Sequence, residues 1–189
     1  MSSHHIVREK QEPALLILSL DSIDEEHLGQ LLEWSPTIIV NTNVYEKITA
    51  MGIKIDVLIC ETKTSIYFQE SIRFIYTTKS QTALQAAISF LSNQKYPAVN
   101  IVCKTFDLQK VEPFVGCIDI VVFTERKKYY PIKNGFNKWE TANTTIHTFG
   151  NISNHYGTKK IAPNSYITLY DGFFGFDFEQ NYLFIAHNV

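Results

Sequence analysis

The sequence predicts an α/β protein: an N-terminal Rossmann-like parallel sheet with flanking helices, followed by a C-terminal all-β domain, a sandwich or barrel. Three observations carry this expectation. Up to about residue 126 short β-branched runs alternate with helical patterns, and regular alternation of strand and helix means a parallel sheet. From about Tyr129 onward the texture turns rich in Gly, Asn and aromatics, with no helical stripe. A chain of 189 residues is also long enough for two small domains, each with its own core. The expected division is 1–126 and 127–189.

The first strand is "ALLILSL" (14–20), followed by "TIIVNT" (37–42), "DVLICE" (56–61), "RFIYTT" (73–78), "VNIVCK" (99–104) and "IDIVVF" (118–123). Such near-continuous apolar strands suit a sheet covered on both faces. Between the first two, "DSIDEEHLGQLLEW" reads as a helix. Ser22 and Glu25 have capping-box spacing there, and Leu28, Leu31 and Leu32 line one face. A second helix is expected at 80–95, with Leu84, Ile88 and Leu91 on one stripe and Pro97 marking its end. In the second part the turn pairs Asn134-Gly135 and Asp171-Gly172 indicate antiparallel hairpins, with most of the aromatics filling a small β core.

With 45% hydrophobic and 19% charged residues the composition is that of a globular protein, and no apolar run is long enough to cross a bilayer. The N-terminal stretch "MSSHHIVREKQEP" lacks the apolar region of an export signal, so a cytoplasmic location is expected. Cys60, Cys103 and Cys117 stand singly and read as buried, reduced thiols. A net charge of -2 with both signs interspersed gives no footprint for nucleic acid. The six histidines are scattered and form no metal-ligand spacing.

In open α/β sheets ligands bind beyond the carboxyl ends of the strands. The segments to examine are therefore 41–43, 60–65, 77–82, 104–107 and 124–126. Only Gly29 and Gly52 precede residue 100, so neither a dinucleotide-binding turn nor a P-loop is present. There is no serine-hydrolase elbow either. Transfer of phosphate groups without a glycine-rich loop relies on carboxylates gathered around Mg²⁺, and the strand ends offer Glu61, Asp107 and Glu125, one each.

An α/β half followed by a β half carrying "GFNKW" and "FGNISN" resembles the thiamine pyrophosphokinase family, from about Leu15 to the end of the chain. The resemblance is strongest in the second half, where Gly135 precedes Trp139 and Phe149-Gly150 leads into Ser153-Asn154. It implies a thiamine-type ligand lined by Trp139, Ser153 and Asn154, with the tryptophan reaching over from the partner in a homodimer. A tryptophan face suits a flat cationic heterocycle, and Ser and Asn supply hydrogen bonds.

The catalytic motifs of that family are altered here. Its Asp-Gly turn falls on Asn41-Thr42, its Gly-Asp-x-Asp-Ser on Cys60-Glu61-Thr62-Lys63-Thr64, and its Thr-Asp helix start on Thr82-Ala83. Its Gly-Gly-Arg-x-Asp-His segment has no counterpart beyond Asp107. Lys63 places a cation where a dication would bind, and suits direct contact with a phosphate instead. Three readings stay open. The first is a homologue that keeps the fold and a ligand pocket (Asn41, Lys63, Trp139, Ser153, Asn154) without diphosphate transfer. The second is an active diphosphotransferase using Mg²⁺ and ATP through a rearranged metal site of Glu61 and Asp107, with Glu125 a further candidate. The third is a dimer whose former pocket is filled by side chains.

Overall fold

The computed structural model describes residues 12–34, 36–61, 71–78 and 80–188. The chain divides into two compact units, Met1–Glu125 and Arg126–Val189. Unit 1 runs β1 (Ala14–Ile17), α1 (Glu25–Leu32), β2 (Ile38–Asn41), α2 (Thr42–Ala50), β3 (Val57–Cys60), β4 (Arg73–Tyr76), α3 (Ala83–Asn93), β5 (Ala98–Val102) and β6 (Asp119–Phe123). Two short 3-10 turns, Leu108–Lys110 and Glu112–Phe114, link the last two strands.

The strands of unit 1 lie in the order β6-β5-β1-β2-β3-β4, and every pairing among them is parallel. All residues of β1 and β3 are buried, which explains their unbroken apolar runs. Leu28 of α1 and Val44 and Ile48 of α2 pack with Leu15, Ile17, Val40 and Leu58 into one core. The outermost strand, β4, is largely exposed.

Local chemistry sets the helix boundaries. The cap of α1 is Asp24, whose carboxylate accepts from the His27 backbone N–H at 2.8 Å, in place of the Ser22 start read from the sequence. Ser22 is instead buried, its hydroxyl donating weakly to the Ser19 carbonyl. Thr82 caps α3 in a reciprocal capping box with Gln85. α2 is an element the periodicity did not announce. Asn41 ends β2 and starts this helix, its side-chain oxygen accepting from the Val44 N–H at 3.3 Å. Of the three thiols, Cys60 and Cys103 are buried whereas Cys117 is exposed, because it lies in the turn entering β6. Burial pushes the Cys103 thiol up to about 11.

Unit 2 contains β7 (Lys127–Ile132), β8 (Asn137–Glu140), β9 (Thr145–Phe149), β10 (Asn154–Tyr156), β11 (Thr158–Ala162), β12 (Ser165–Thr168), β13 (Gly172–Asp177) and β14 (Leu183–Asn188). Its strands form an antiparallel set in the order β11-β12-β9-β14-β7 and a second antiparallel sheet, β10-β13-β8. Inward side chains of both, including Ile132, Ile146, Tyr166, Phe174, Phe176 and Ile185, share one core. Tyr166 and Phe176 meet edge to face at 5.0 Å, as do Phe174 and Phe176 at 5.8 Å.

The turn pairs at Asn134-Gly135 and Asp171-Gly172 do not make hairpins. β7 pairs with β14 and β8 with β13, so the first turn carries the chain from one sheet to the other. The second does the same between β12 and β13. The tight hairpin is β11 to β12, through Asn164 at a positive φ of 57°.

Toward the start of β7 the inward positions become polar. Lys128, Tyr130 and Ile132 alternate inward on β7, and His187 of β14 stands directly opposite Lys128. The Lys138 ammonium bonds the Glu140 carboxylate at 2.9 Å and lies 5.9 Å from the Tyr130 ring centre. The His187 ring meets Tyr130 edge-on at 5.6 Å. Burial, then the Lys138 charge, holds the His187 imidazole down to about 4 from 6.5. Between those two values the unfolded chain binds a proton that the folded chain refuses, so stability falls as pH drops from about 6.5 to about 4. Because His187 is only half-buried, the loss from this residue is about 1–2 kcal/mol after allowance for solvent screening. The expected outcome is that His187→Gln narrows the gap between melting temperatures measured at pH 7 and pH 4.5. An unchanged gap would assign the acid sensitivity to other groups.

Candidate functional site

In unit 1 the strand order reverses between β1 and β5, and the crevice of an open α/β sheet forms at the carboxyl ends of such a pair. The segments beside that point are 18–22 and 103–107. The first of these escaped the sequence reading, although "SLDSID" directly after the first apolar run was its signal. Asp107 follows β5, is exposed, accepts from the Gln109 N–H at 3.2 Å and pairs with Lys110 at 3.7 Å. Glu61, exposed at the end of β3, is three strand spacings from β5, about 14 Å. Glu125 is exposed just past β6.

Asn41 is half-buried, and both ends of its amide are engaged. Besides capping α2 it donates from its side-chain nitrogen to the Leu18 carbonyl at 3.3 Å. It therefore ties the end of β1 to the start of α2. Lys63 lies outside the described residues. Among the described residues no group of three or more His, Cys, Asp or Glu side chains is placed to hold a metal ion. A Mg²⁺ site of the kind diphosphate transfer requires has no matching donor set among them.

Unit 2 presents a different arrangement. The loops after β9 and after β13 enclose an open cleft of about 370 Å³ lined by Asn151, Ile152, Ser153, Glu179 and Gln180. Ser153 is fixed to β13, with both its backbone N–H and its hydroxyl donating to the Asp177 carbonyl, at 2.8 and 2.9 Å. Beside it the Asn154 amide donates to the Asp177 carboxylate at 3.0 Å. Gly150 permits the approach of the second loop, since a Cβ there would lie 2.7 Å from Leu183 and 2.9 Å from Gln180. Glu179 and Gln180 are the residues that sequence reasoning missed. They lie 26 and 27 residues beyond Ser153, and only the polar run "DFEQN" between two apolar strands marked them.

Trp139 is 51% exposed on β8 and pairs in register with Phe173, itself 57% exposed. Asn154 pairs with Asp177 on the same face of that sheet. Four residues of β13 separate the two levels, about 13 Å, so one chain does not bring Trp139 to Ser153 and Asn154.

No protein-family model matches the sequence, and no curated protein matches it by sequence. Solved structures do match. A thiamine pyrophosphokinase from Bacillus subtilis superposes with a TM-score of 0.63 at 16% identity, covering 93% of this chain and 99% of that one. A probable thiamine pyrophosphokinase from Staphylococcus saprophyticus gives 0.66 at 12% identity, covering 93% and 98%. Yeast thiamin pyrophosphokinase gives 0.67 at 9% identity, covering 97% and 88%. With a parallel α/β unit, an antiparallel β unit and near-complete coverage of these proteins, the chain has the fold of the thiamine pyrophosphokinases.

Proposed function

We propose that this chain is a thiamine pyrophosphokinase-like protein of the cytoplasm that has kept the family's small-molecule pocket and lost its diphosphate transfer. In this reading residues 1–126 are the Rossmann-like domain and 127–189 a β-sandwich that binds the ligand. The observation that carries it is a contrast within one chain. The cleft beside Ser153 is formed, whereas Glu61 and Asp107 follow two different strands, β3 and β5, that lie about 14 Å apart in the sheet, with no carboxylate group gathered among the described residues.

The chemistry of the cleft supports a thiamine-type ligand. Ser153, Asn151 and Gln180 offer hydrogen bonds and Glu179 a negative charge for a cationic ring. The exposed Trp139 face completes such a site only from a second copy, because its own copy holds it too far from Ser153. A homodimer follows from this reading. Lys63, which follows β3 in the sequence and lies outside the described residues, is proposed as a direct phosphate contact in place of a metal.

A thermal-shift titration with thiamine, thiamine diphosphate and ATP, each with and without Mg²⁺, tests the proposal. At a ligand concentration of 100 times Kd the stabilisation is about 2.7 kcal/mol, a rise in melting temperature of roughly 5–10 °C for a chain of this length. We expect that rise with thiamine or its diphosphate, unaffected by Mg²⁺, and no AMP when all components are combined. Repeated AMP release would instead establish an active transferase, and no response to any of these compounds would establish a filled pocket.

A further inference from the structure

The Ser153 cleft has a polarity, and Asp177 fixes it. A backbone carbonyl only accepts hydrogen bonds, so the Ser153 hydroxyl hydrogen is committed to the Asp177 carbonyl at 2.9 Å, alongside the Ser153 backbone N–H at 2.8 Å. What this hydroxyl still offers a ligand is its lone pairs. The Asn154 amide beside it is held in the same sense. Its nitrogen donates to the Asp177 carboxylate at 3.0 Å, which turns the amide oxygen away from Asp177. Asp177 ends β13 and pairs in register with Asn154 of β10, so the sheet holds it in place as well.

The rest of the lining has the same sign. Glu179 brings a carboxylate, an acceptor with a negative charge. Among the described residues that line the cleft there is no lysine, arginine or histidine. The side-chain amides of Asn151 and Gln180 carry both a donor and an acceptor and suit either kind of partner. The Ser153 oxygen and the Glu179 carboxylate therefore set the preference of a space of about 370 Å³, at the small end of ligand sites and enough for one heterocycle. A ligand edge that brought an acceptor here would set lone pairs against lone pairs, and leaving such groups unpaired costs more than a made bond returns.

Resting on the ligand pocket proposed for this chain, we infer that the cleft selects a heterocycle by its hydrogen-bond donors, an exocyclic amino group on a neutral or cationic ring, with Asp177 as the positioning residue that sets this preference. A keto oxygen at the same place on the ring is rejected, and the phosphate groups of any ligand lie outside the cleft. The existence of a pocket does not by itself entail this choice. A serine hydroxyl free to turn would donate to a keto oxygen as readily as it accepts from an amino group, and Asp177 removes that freedom.

The experiment is a calorimetric titration of the full chain with thiamine, which carries a ring amino group, and with its 4-oxo analogue, which carries a keto oxygen there. Thiamine is expected to bind roughly 10–100-fold more tightly. Inorganic pyrophosphate in excess is expected not to displace it. Ser153→Ala removes the hydroxyl, keeps the backbone N–H bond to Asp177, and is expected to bring the two affinities within about threefold of each other. Glu179→Gln is close to isosteric at an exposed position and puts a donor beside the acceptor. It is expected to weaken thiamine about tenfold and the 4-oxo analogue by less than about threefold. A residue that only shaped the cleft would lower both affinities by the same factor, so the ratio is the decisive readout. Equal affinities in the parent, displacement by pyrophosphate, or a ratio unmoved in both variants would overturn the inference and leave the pocket in place. No binding of either compound would remove the pocket itself, and the inference with it.

Discussion

Replacing Gly157 by alanine is expected to cost roughly 3–5 kcal/mol and to lower the melting temperature by at least about 6 °C. Gly157 is the single residue between β10, which belongs to the three-stranded sheet, and β11, which belongs to the other. It turns that corner at a φ of 68°, in the left-handed region that a side chain disfavours. Space is the larger part of the penalty. A Cβ there would collide with the Phe173 carbonyl oxygen and lie 3.0 Å from the Phe174 Cα, both backbone atoms of the central strand β13. No side-chain rotation relieves such a contact. The Gly157 carbonyl also accepts from the Leu169 N–H at 3.1 Å, so a shift of the corner loosens the loop leading into β13. Gly29, inside α1 with nothing within 4 Å of a Cβ, provides the opposite sign. Gly29→Ala is expected to stabilise by about 0.5–1 kcal/mol. Thermal melts of the two variants decide the matter, and equal losses would mean that the corner yields more readily than its geometry indicates.

The same corner shows where sequence reading succeeds and where it fails. The strands of unit 1 were legible because a strand buried on both faces is written as a continuous apolar run. The run at 14–20 contains β1, and that at 56–61 contains β3. α2 was hidden because its buried stripe consists of only Val44 and Ile48, and its start is an asparagine that equally suits a strand end. Asn134-Gly135 and Asp171-Gly172 announced turns correctly, but turn chemistry is local and does not say which sheet the next strand joins. That choice is made by partners elsewhere in the chain, such as Asn134, whose side-chain oxygen accepts from the Phe178 N–H at 3.2 Å. The candidate site divides in the same way. Ser153 was reached through a resemblance, whereas Glu179 and Gln180 join it only because β13 brings a later loop beside an earlier one.

Two aromatic substitutions on opposite faces of the same small sheet are expected to separate stability from binding. Phe176 is 0% exposed and is packed edge to face against both Tyr166 and Phe174. Phe176→Ala removes a buried ring and leaves a cavity that β13, fixed by hydrogen bonds on both sides, cannot close, so a loss of about 3–5 kcal/mol is expected. Trp139 is as large, but half of it faces solvent, and deleting it exposes little that was dry. Trp139→Ala is therefore expected to change the stability of the unliganded protein by no more than about 0.5–1 kcal/mol. If the Trp139 face contacts a flat cationic ligand across a dimer, the same variant loses most of the thermal shift that thiamine produces. Its parent should lose that shift too, on dilution below the dimerisation range. Chemical denaturation measures the first quantity and the ligand titration the second. A Trp139→Ala protein that is nearly as stable as its parent and responds fully to thiamine would remove the tryptophan from the binding site, and with it the reason to require a second copy.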